Sequence, residues 1–199
     1  MKANPRYKEL KDLLEEHSDD WFLPWEGDFT RFQIIDYPSK EDILSGRGAF
    51  LRGSRLNFKK TFPVVYGSLS EETTLRESGA YAKRFGFTVR TPRILVVICL
   101  KLDRVLDLRD PTIRRKLNIT LKELRSEVWE ALQGKGFETL GQALGRSAMA
   151  AGAEGVIIPS FAHKGGANVA YFPENLQKGS SALIFEGDKL PKNKGRNGK

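Results

Sequence analysis

The order of apolar and polar residues predicts a chain in which helices and strands are interspersed. Residues 5–17 place Leu10, Leu13 and Leu14 on one stripe, which predicts an amphipathic helix near the start of the chain. Short apolar or alternating runs that are bounded by turn residues predict strands. These runs are 29–35, 63–66, 93–100, 105–108, 156–158, 168–172 and 181–185, of which 105–108 either continues the preceding strand or forms one of its own.

Capping signals predict the helices between these strands. Ser70 is placed to cap a helix that the pattern extends to about Gly86. Thr120 opens a capping-box pattern, and the helix it predicts carries Val128 and Trp129 towards the core. Further helices are predicted at 40–44, after Asp110-Pro111 and over 138–151. Because strands and helices do not alternate in regular βαβ units, the predicted fold class is α+β, with mixed short strands and flanking helices.

Three parts are predicted along the chain. Residues 1–28 form a helical N-terminal extension packed on the core, residues 29–187 form the main domain, and residues 188–199 form a basic tail. The formal net charge is +8, and residues 189–199 carry five Lys or Arg and no acid, so the remainder carries only +3. Because Pro, Gly and Asn dominate this tail, it is predicted to be disordered. The charge is therefore weak evidence for a partner, and direct nucleic-acid binding is not expected.

The composition disfavours several classes of protein. The single cysteine, Cys99, excludes an intrachain disulfide, and its apolar run predicts a buried, inert position. No apolar signal-peptide core or run of roughly 20 apolar residues occurs, so we expect a cytoplasmic protein without a membrane segment. His17 and His163 stand far apart and no HExxH or CxxC pattern occurs, so no metal site is expected. Patterns of the GxxxxGK[ST] and GxSxG types are also missing.

The stretch 46–77 brings together residues with distinct chemistry. It starts with a glycine-rich basic segment, predicted to be a loop, that ends near Arg55. With Arg31 in the first predicted strand, Arg55 can bind a phosphate or diphosphate through two-pronged hydrogen bonds. Tyr66 can stack on a flat heterocycle. Glu77, two turns into the following helix, can hold a ribose hydroxyl and stabilise an oxocarbenium-like transition state by its charge.

Each of these residues also has an ordinary structural explanation. Arg31 and Arg55 can keep their charged ends in water, and Tyr66 can belong to the core. Glu77 can lie on a helix surface, and Ser160, which follows a predicted strand, can cap its own loop. Taken singly, these explanations are the more common ones. A functional interpretation therefore depends on a pattern that includes all of these residues.

Such a pattern exists, because several segments resemble those of the RES domain family, named for an arginine, a glutamate and a serine. The matching segments, in order, are Gly48-Ala49, Gly53-Ser54-Arg55-Leu56-Asn57, a strand ending at Tyr66, a helix with Glu77, EGVIIPS at 154–160 and NVAYFP at 168–173. The resemblance covers residues 29–187. Two positions depart from the family pattern, since Ser54 replaces a glycine and Leu56 replaces a tryptophan. The second change predicts a looser wall of the pocket.

The resemblance implies an ADP-ribosyltransferase-like core that consumes NAD+. The implied catalytic residues are Glu77, Arg55 and Ser160, and the implied NAD+-binding residues are Arg31, Arg55, Tyr66, Ser160 and Asn168. NAD+ is then a substrate, and no metal or resident cofactor is implied. Inorganic phosphate is a candidate co-substrate, for which Arg47 or Arg52 would supply a cationic pocket.

The activity implied by the resemblance is cleavage of the nicotinamide–ribose bond of NAD+, by phosphorolysis or hydrolysis. Several RES proteins are toxins of toxin–antitoxin pairs, so an Xre-type antitoxin that occludes the site is the implied partner. Three alternatives stay open. They are transfer of ADP-ribose to a protein, a non-catalytic module that binds nucleotides or nucleic acid through its basic loop and tail, and an inactive scaffold that binds nucleotide without forming product.

Overall fold

The computed structural model describes residues 1–84 and 92–190, and strands form the centre of this described part. The strands are β1 Phe22–Ile34, β2 Val65–Ser68, β3 Arg93–Asp107, β4 Gly155–Pro159, β5 Ala167–Tyr171 and β6 Ser181–Ile184. β1 pairs with both β2 and β3, and β5 lies between β2 and β4. Because β4 pairs in turn with β3, these five strands close into a ring, and β6 is added to β3 outside it. The β3–β4 pair is parallel, and the other pairs are antiparallel.

Helices flank this ring of strands. In the described part of the chain they are α1 Tyr7–Glu16, α2 Ser18–Trp21, α3 Lys40–Leu44, α4 Arg47–Arg52, α5 Glu71–Arg84, α6 Pro111–Lys116, α7 Leu121–Ser126, α8 Trp129–Gly134 and α9 Leu140–Ala150. A 3-10 turn, Pro173–Asn175, precedes β6. The predicted α+β class, with short mixed strands and flanking helices, is confirmed.

The capping residues act as the sequence predicts. The Ser70 hydroxyl accepts a hydrogen bond from the Thr73 N–H at 3.2 Å, at the start of α5. Thr120 and Glu123 form a complete capping box before α7. The Asp110 side chain accepts a backbone N–H in the first turn of α6. Each contact satisfies a donor that a helix N-terminus would otherwise leave unpaired, which typically stabilises by about 1 kcal/mol.

Strands β1 and β3 are longer than the apolar pattern predicts. The runs 93–100 and 105–108 form one continuous strand, and β1 starts at Phe22 rather than at residue 29. The two strands pair antiparallel along nearly their whole length, starting with Phe22 opposite Leu106. This pairing satisfies backbone donors and acceptors at polar positions too, so the strands extend beyond the apolar runs that predicted them.

The glycine-rich basic segment was predicted to be a loop, and this prediction is wrong for its middle, which is α4. Gly46 and Gly53 flank this helix with φ angles of 65° and 77°, in the region that favours glycine. A Cβ on Gly46 would lie 2.6 Å from the backbone nitrogen of Val64, so the close approach to the chain before β2 also requires glycine.

The helix predicted after Thr120 is interrupted. α7 ends at Ser126, α8 starts at Trp129, and Val128 between them is 48% exposed, so the prediction that it faces the core is wrong. The carboxylate of Glu127 accepts the backbone N–H of Leu140 at 2.7 Å, which ties this break to the start of α9. Burial raises the pKa of the Glu127 carboxyl.

Two buried apolar clusters hold these elements together. The cluster formed by the strands includes Phe29, Val65, Ile98, Ile157 and Val169. The second cluster lies under the helices and includes Leu10 and Leu14 of α1, Leu144 of α9 and Phe172. Because α1 packs on α9 and contributes to this second cluster, the N-terminal segment shares the core of the main domain.

The predicted limits of the three parts of the chain do not coincide with the ends of structural elements. The boundary after residue 28 lies inside β1. At the other end, Leu190 packs against the strand cluster, and the remainder of the basic tail, residues 191–199, lies outside the described residues. The helix end predicted near Gly86 also lies outside them. No helix within 1–84 or 92–190 combines the length and apolarity needed to cross a membrane.

Cys99 is only partly buried, so its predicted burial is wrong. It lies on β3 directly opposite Asp28 of β1. A hydrogen bond to Asp28, with burial, raises the pKa of the thiol. A raised pKa lowers the thiolate fraction, which argues against a nucleophilic role.

Candidate active site

A cleft of about 700 Å³ opens between the strands β1, β2 and β5 and the helices α4, α5 and α8. The predicted site residues that line it are Arg31, Arg55, Tyr66, Glu77 and Asn168. The sixth, Ser160, contacts Glu77 directly. The fold therefore brings all six predicted residues to one place.

Glu77 is held at the cleft by two donors from separate elements. Its Oε1 accepts a hydrogen bond from the Ser160 hydroxyl at 2.6 Å and another from the Asn168 amide Nδ2 at 2.7 Å. Its second oxygen, Oε2, makes no hydrogen bond with the described residues. The arrangement fixes the carboxylate and leaves one oxygen for a ligand.

The loop 160–166 positions Ser160. The backbone N–H of Ser160 donates to the Gly166 carbonyl at 2.8 Å, which closes the loop directly after β4. The Ser160 hydroxyl accepts the N–H groups of Ala162 and His163 at 3.2 and 3.0 Å. With its own proton it binds Glu77, so it both caps the loop and orients the carboxylate. His163 Nδ1 lies 2.9 Å from the Thr73 hydroxyl, which ties the loop to α5.

Arg31 brings an incompletely paired cation to the cleft. Its Nη1 donates to the Ile43 carbonyl at 3.4 Å, and its buried Nε has no hydrogen-bond partner in the described structure. Burial lowers the pKa of this guanidinium, an effect that nearby Tyr171 partly opposes. A desolvated donor of this kind is costly unless it is paired, so an anionic ligand in the cleft would relieve the penalty.

Arg55 lies on the same cleft with its guanidinium oriented by two contacts. Nη1 donates to the Leu124 carbonyl of α7 at 2.9 Å. The guanidinium carbon lies 4.8 Å from the ring centroid of Phe161, which is a cation–π contact. These contacts fix the orientation of the planar guanidinium at the cleft.

Tyr66 forms part of the cleft wall, but its hydroxyl is already used within the protein. It accepts the Leu56 N–H at 3.2 Å and donates to the Asn57 Oδ1 at 3.1 Å. Burial raises the pKa of this phenol, so it stays protonated. These contacts anchor the chain that carries Arg55 to β2. The ring face is the part of Tyr66 that can contact a ligand.

The model of the RES domain family matches residues 30–190. The chain belongs to the RES domain family. Among solved structures, a chain in the crystal structure of the M. tuberculosis MbcT–MbcA toxin–antitoxin complex is similar in fold. It has a TM-score of 0.64 and 19% identity, over 90% of this chain and 95% of that chain. No curated protein sequence matches this chain.

The RES domain accounts for the fold, which is the predicted α+β, ADP-ribosyltransferase-like core. The matched range starts within β1 and ends after β6, so it contains every residue predicted for the site. The prediction of the family is confirmed.

Leu56, where the sequence predicts a looser pocket wall, lines the cleft of this RES domain. It is 1% exposed and belongs to the cluster under the helices. Trp129, which starts α8, lines the same cleft. The break between α7 and α8 therefore places an indole at the cleft although the position after Arg55 has none.

Several cleft residues were not predicted. Ser68 lies two residues after Tyr66 on β2, so strand alternation would have placed the two side chains on one face. Arg125 and Trp129, which lie on either side of the break between α7 and α8, have no signal in the sequence that places them at the cleft. Of the two arginines considered for phosphate, Arg52 lines the cleft, whereas Arg47 is exposed on α4.

Proposed function

We propose that this RES domain protein cleaves the nicotinamide–ribose bond of NAD+. The observation that carries the proposal is the Glu77 carboxylate, which Ser160 and Asn168 hold by one oxygen at the wall of a cleft whose lining includes Arg31 and Arg55. Membership of the RES domain family supports the same conclusion. The proposed chemistry uses this chain's side chains, NAD+ and an acceptor.

The proposed reaction separates charge at the anomeric carbon. The bond between ribose and the nicotinamide nitrogen breaks, and its electron pair goes to that nitrogen, which leaves as neutral nicotinamide. The ribose then has oxocarbenium character, which a fixed carboxylate stabilises without reorganising during the step. Glu77 fills this role, and its Oε2 is the oxygen that faces the substrate. An acceptor oxygen then bonds to the anomeric carbon and gives up its proton.

The two arginines are proposed to hold the diphosphate of NAD+. Arg31 has an unpaired buried Nε, and Arg55 has a guanidinium plane oriented by Phe161. Guanidinium groups bind phosphate oxygens through parallel, charge-assisted hydrogen bonds. This contact would place the ribose beside Glu77 and leave the ring face of Tyr66 for a flat heterocycle.

The acceptor decides the product, and one experiment distinguishes the choices. Purified protein is incubated with NAD+ with and without inorganic phosphate, and the products are identified by mass spectrometry. We expect release of nicotinamide, with ADP-ribosyl phosphate formed when phosphate is present and ADP-ribose when water is the acceptor. Protein that carries a covalently attached ADP-ribose group, found instead of a small product, would indicate protein ADP-ribosylation. Binding without turnover, or no binding, would contradict the proposal and favour a non-catalytic module.

We propose further that the protein is the toxin of a toxin–antitoxin pair and acts on the NAD+ of the cytoplasm. The fold similarity to a chain of the MbcT–MbcA toxin–antitoxin complex supports this role. The proposed partner is an Xre-type antitoxin that covers the cleft. Induced expression is then expected to deplete NAD+ and to stop growth, and co-expression of the antitoxin is expected to restore both.

Arg55→Lys is expected to weaken NAD+ binding by roughly 10- to 150-fold, the equivalent of about 1.5–3 kcal/mol for lost charge-assisted hydrogen bonding. Lysine keeps the charge but has neither the planar fork nor the stacking on Phe161. Affinity is measured by titrating NAD+ calorimetrically into Glu77→Gln protein with and without Arg55→Lys, because slow turnover separates binding from catalysis.

Arg109→Lys is the matched control for this titration. Arg109 is remote from the cleft and binds the Asp107 carboxylate with two of its nitrogens, so the control loses a similar two-pronged contact. Its affinity for NAD+ should not change. Equal affinities of the Arg55→Lys and parent proteins would show that Arg55 does not bind the diphosphate.

A further inference from the structure

A row of polar side chains crosses three strands at the wall of the cleft. Thr30 of β1 lies opposite Ser68 of β2, and Ser68 lies opposite Asn168 of β5. Directly opposite residues of neighbouring strands point to the same side of a sheet. Helix α5 covers this row, with Thr74 and Glu77 on one helix face because they are three residues apart.

The middle of this row determines how the Asn168 amide is turned. The Ser68 hydroxyl donates to Asn168 Oδ1 at 2.7 Å, and Asn168 Nδ2 donates to Glu77 Oε1 at 2.7 Å. A carboxylate only accepts hydrogen bonds, so it requires the NH₂ side of the amide. The amide oxygen must then face Ser68, which can donate. The hydroxyl and the carboxylate therefore select the same orientation of the amide.

We infer that Ser68 is a positioning residue, which holds the Asn168 amide in the orientation that binds Glu77. Its effect on catalysis rests on the proposed cleavage of NAD+, whereas its effect on the amide does not. Without the hydroxyl, the amide oxygen loses its side-chain donor within the described structure. Ser68 is 4% exposed, so water has little access to replace that donor. Turning the amide over would place its oxygen against the carboxylate oxygen, which is repulsive.

The helix itself is held by a separate contact. The Thr74 hydroxyl lies 2.7 Å from the Thr30 hydroxyl and 3.1 and 3.2 Å from the carbonyl oxygens of Thr30 and Ser70, which are alternative acceptors for its one proton. These bonds dock α5 on β1 and do not involve the Ser68 hydroxyl. Loss of that hydroxyl is therefore expected to act on the amide and the carboxylate rather than on the position of the helix.

Kinetics provide the first test. Ser68→Ala is expected to lower kcat about 10-fold with little change in KM, since it weakens one hydrogen bond to the carboxylate through its neighbour. Ser68→Thr keeps the hydroxyl and is expected to retain most of the activity. In an Asn168→Ala background, Ser68→Ala should cause no further loss, because the group through which it acts is already gone. Additive losses in this double-mutant cycle would overturn the inference.

Ser147→Ala is the matched control. Ser147 is fully buried on α9, and its hydroxyl makes one side-chain hydrogen bond, to the Tyr7 carbonyl at 3.2 Å. The Ser147→Ala substitution removes a comparable hydroxyl away from the cleft, so kcat should stay at the level of the parent protein. Should Ser68→Ala be too unstable to purify, Ser68→Cys has a similar volume and only a weak donor, and it replaces Ser68→Ala in the comparison.

A measurement without substrate provides the second test. The side-chain NH₂ signals of Asn168 in a ¹H–¹⁵N spectrum are identified by their loss in Asn168→Ala. They should shift in Ser68→Ala and stay in place in Ser147→Ala. An unchanged Asn168 signal in Ser68→Ala would overturn the inference, whatever the kinetics. If the parent protein does not consume NAD+, the proposed function fails, while this signal still decides whether Ser68 orients the amide.

Discussion

Glu77→Gln should fold as the parent protein does and consume NAD+ more slowly by about 100-fold or more, the scale of a lost electrostatic contribution to a transition state. The glutamine amide oxygen can take the position of Oε1 and keep both hydrogen bonds, from Ser160 and Asn168. What disappears is the negative charge beside the anomeric carbon. The variant therefore tests the negative charge of Glu77 while keeping the hydrogen bonds that hold the side chain.

The measurement is the initial rate of nicotinamide release at saturating NAD+, with thermal unfolding as a check on folding. Glu71→Gln is the matched control, because Glu71 lies on the same helix and is exposed. It should keep the parent rate. Turnover by Glu77→Gln within a few-fold of the parent rate would remove the carboxylate from the mechanism. In cells, expression of Glu77→Gln should not arrest growth if the loss of NAD+ is what causes the arrest.

Glu154→Gln is expected to destabilise the fold by about 2–4 kcal/mol, because the NH₂ group of glutamine would face a backbone N–H group in a buried site, where both are hydrogen-bond donors. The Glu154 side chain is fully buried, and its oxygens accept the backbone N–H groups of Asp103, Arg104 and Gln177 at 2.5, 3.0 and 2.6 Å. It thus joins β3 to the chain before β6. The amide nitrogen of glutamine would replace one acceptor and leave at least one backbone N–H unpaired.

For a chain of this length, that loss corresponds to a fall in Tm of roughly 4–16 °C. Thermal unfolding followed by circular dichroism measures it. Glu174→Gln is the control, because Glu174 is exposed on the turn before β6, and its Tm should match that of the parent. A change of less than about 1 °C in Glu154→Gln would show that the three backbone donors find other partners.

Local structure was largely predictable from the sequence. The caps at Ser70, Asp110 and Thr120 act within one helical turn, so the residues that form them are already neighbours in the chain. The apolar runs likewise marked every strand of the described structure, and the family resemblance assigned the six site residues. These signals need no knowledge of the rest of the fold.

The lengths of the elements were less predictable. β1 and β3 extend through polar positions because each supplies the other with backbone partners. The basic segment contains α4, and the helix after Thr120 breaks before Trp129. In each case a contact with a distant part of the chain outweighs the local pattern, as propensities of about 1 kcal/mol or less allow.

By itself, the sequence determined the fold class, the order of the elements and their caps, because periodicity and capping act over a few positions. Its resemblance to the RES domain family indicated the residues that are proposed to perform the chemistry. Only the tertiary structure decided which of those residues meet. Glu77 contacts Ser160 and Asn168 across 83 and 91 residues, and Ser68 reaches Asn168 across 100. Such contacts depend on the register of β2, β4 and β5 and on the seating of α5, where a slip of one residue would turn each side chain to the opposite face.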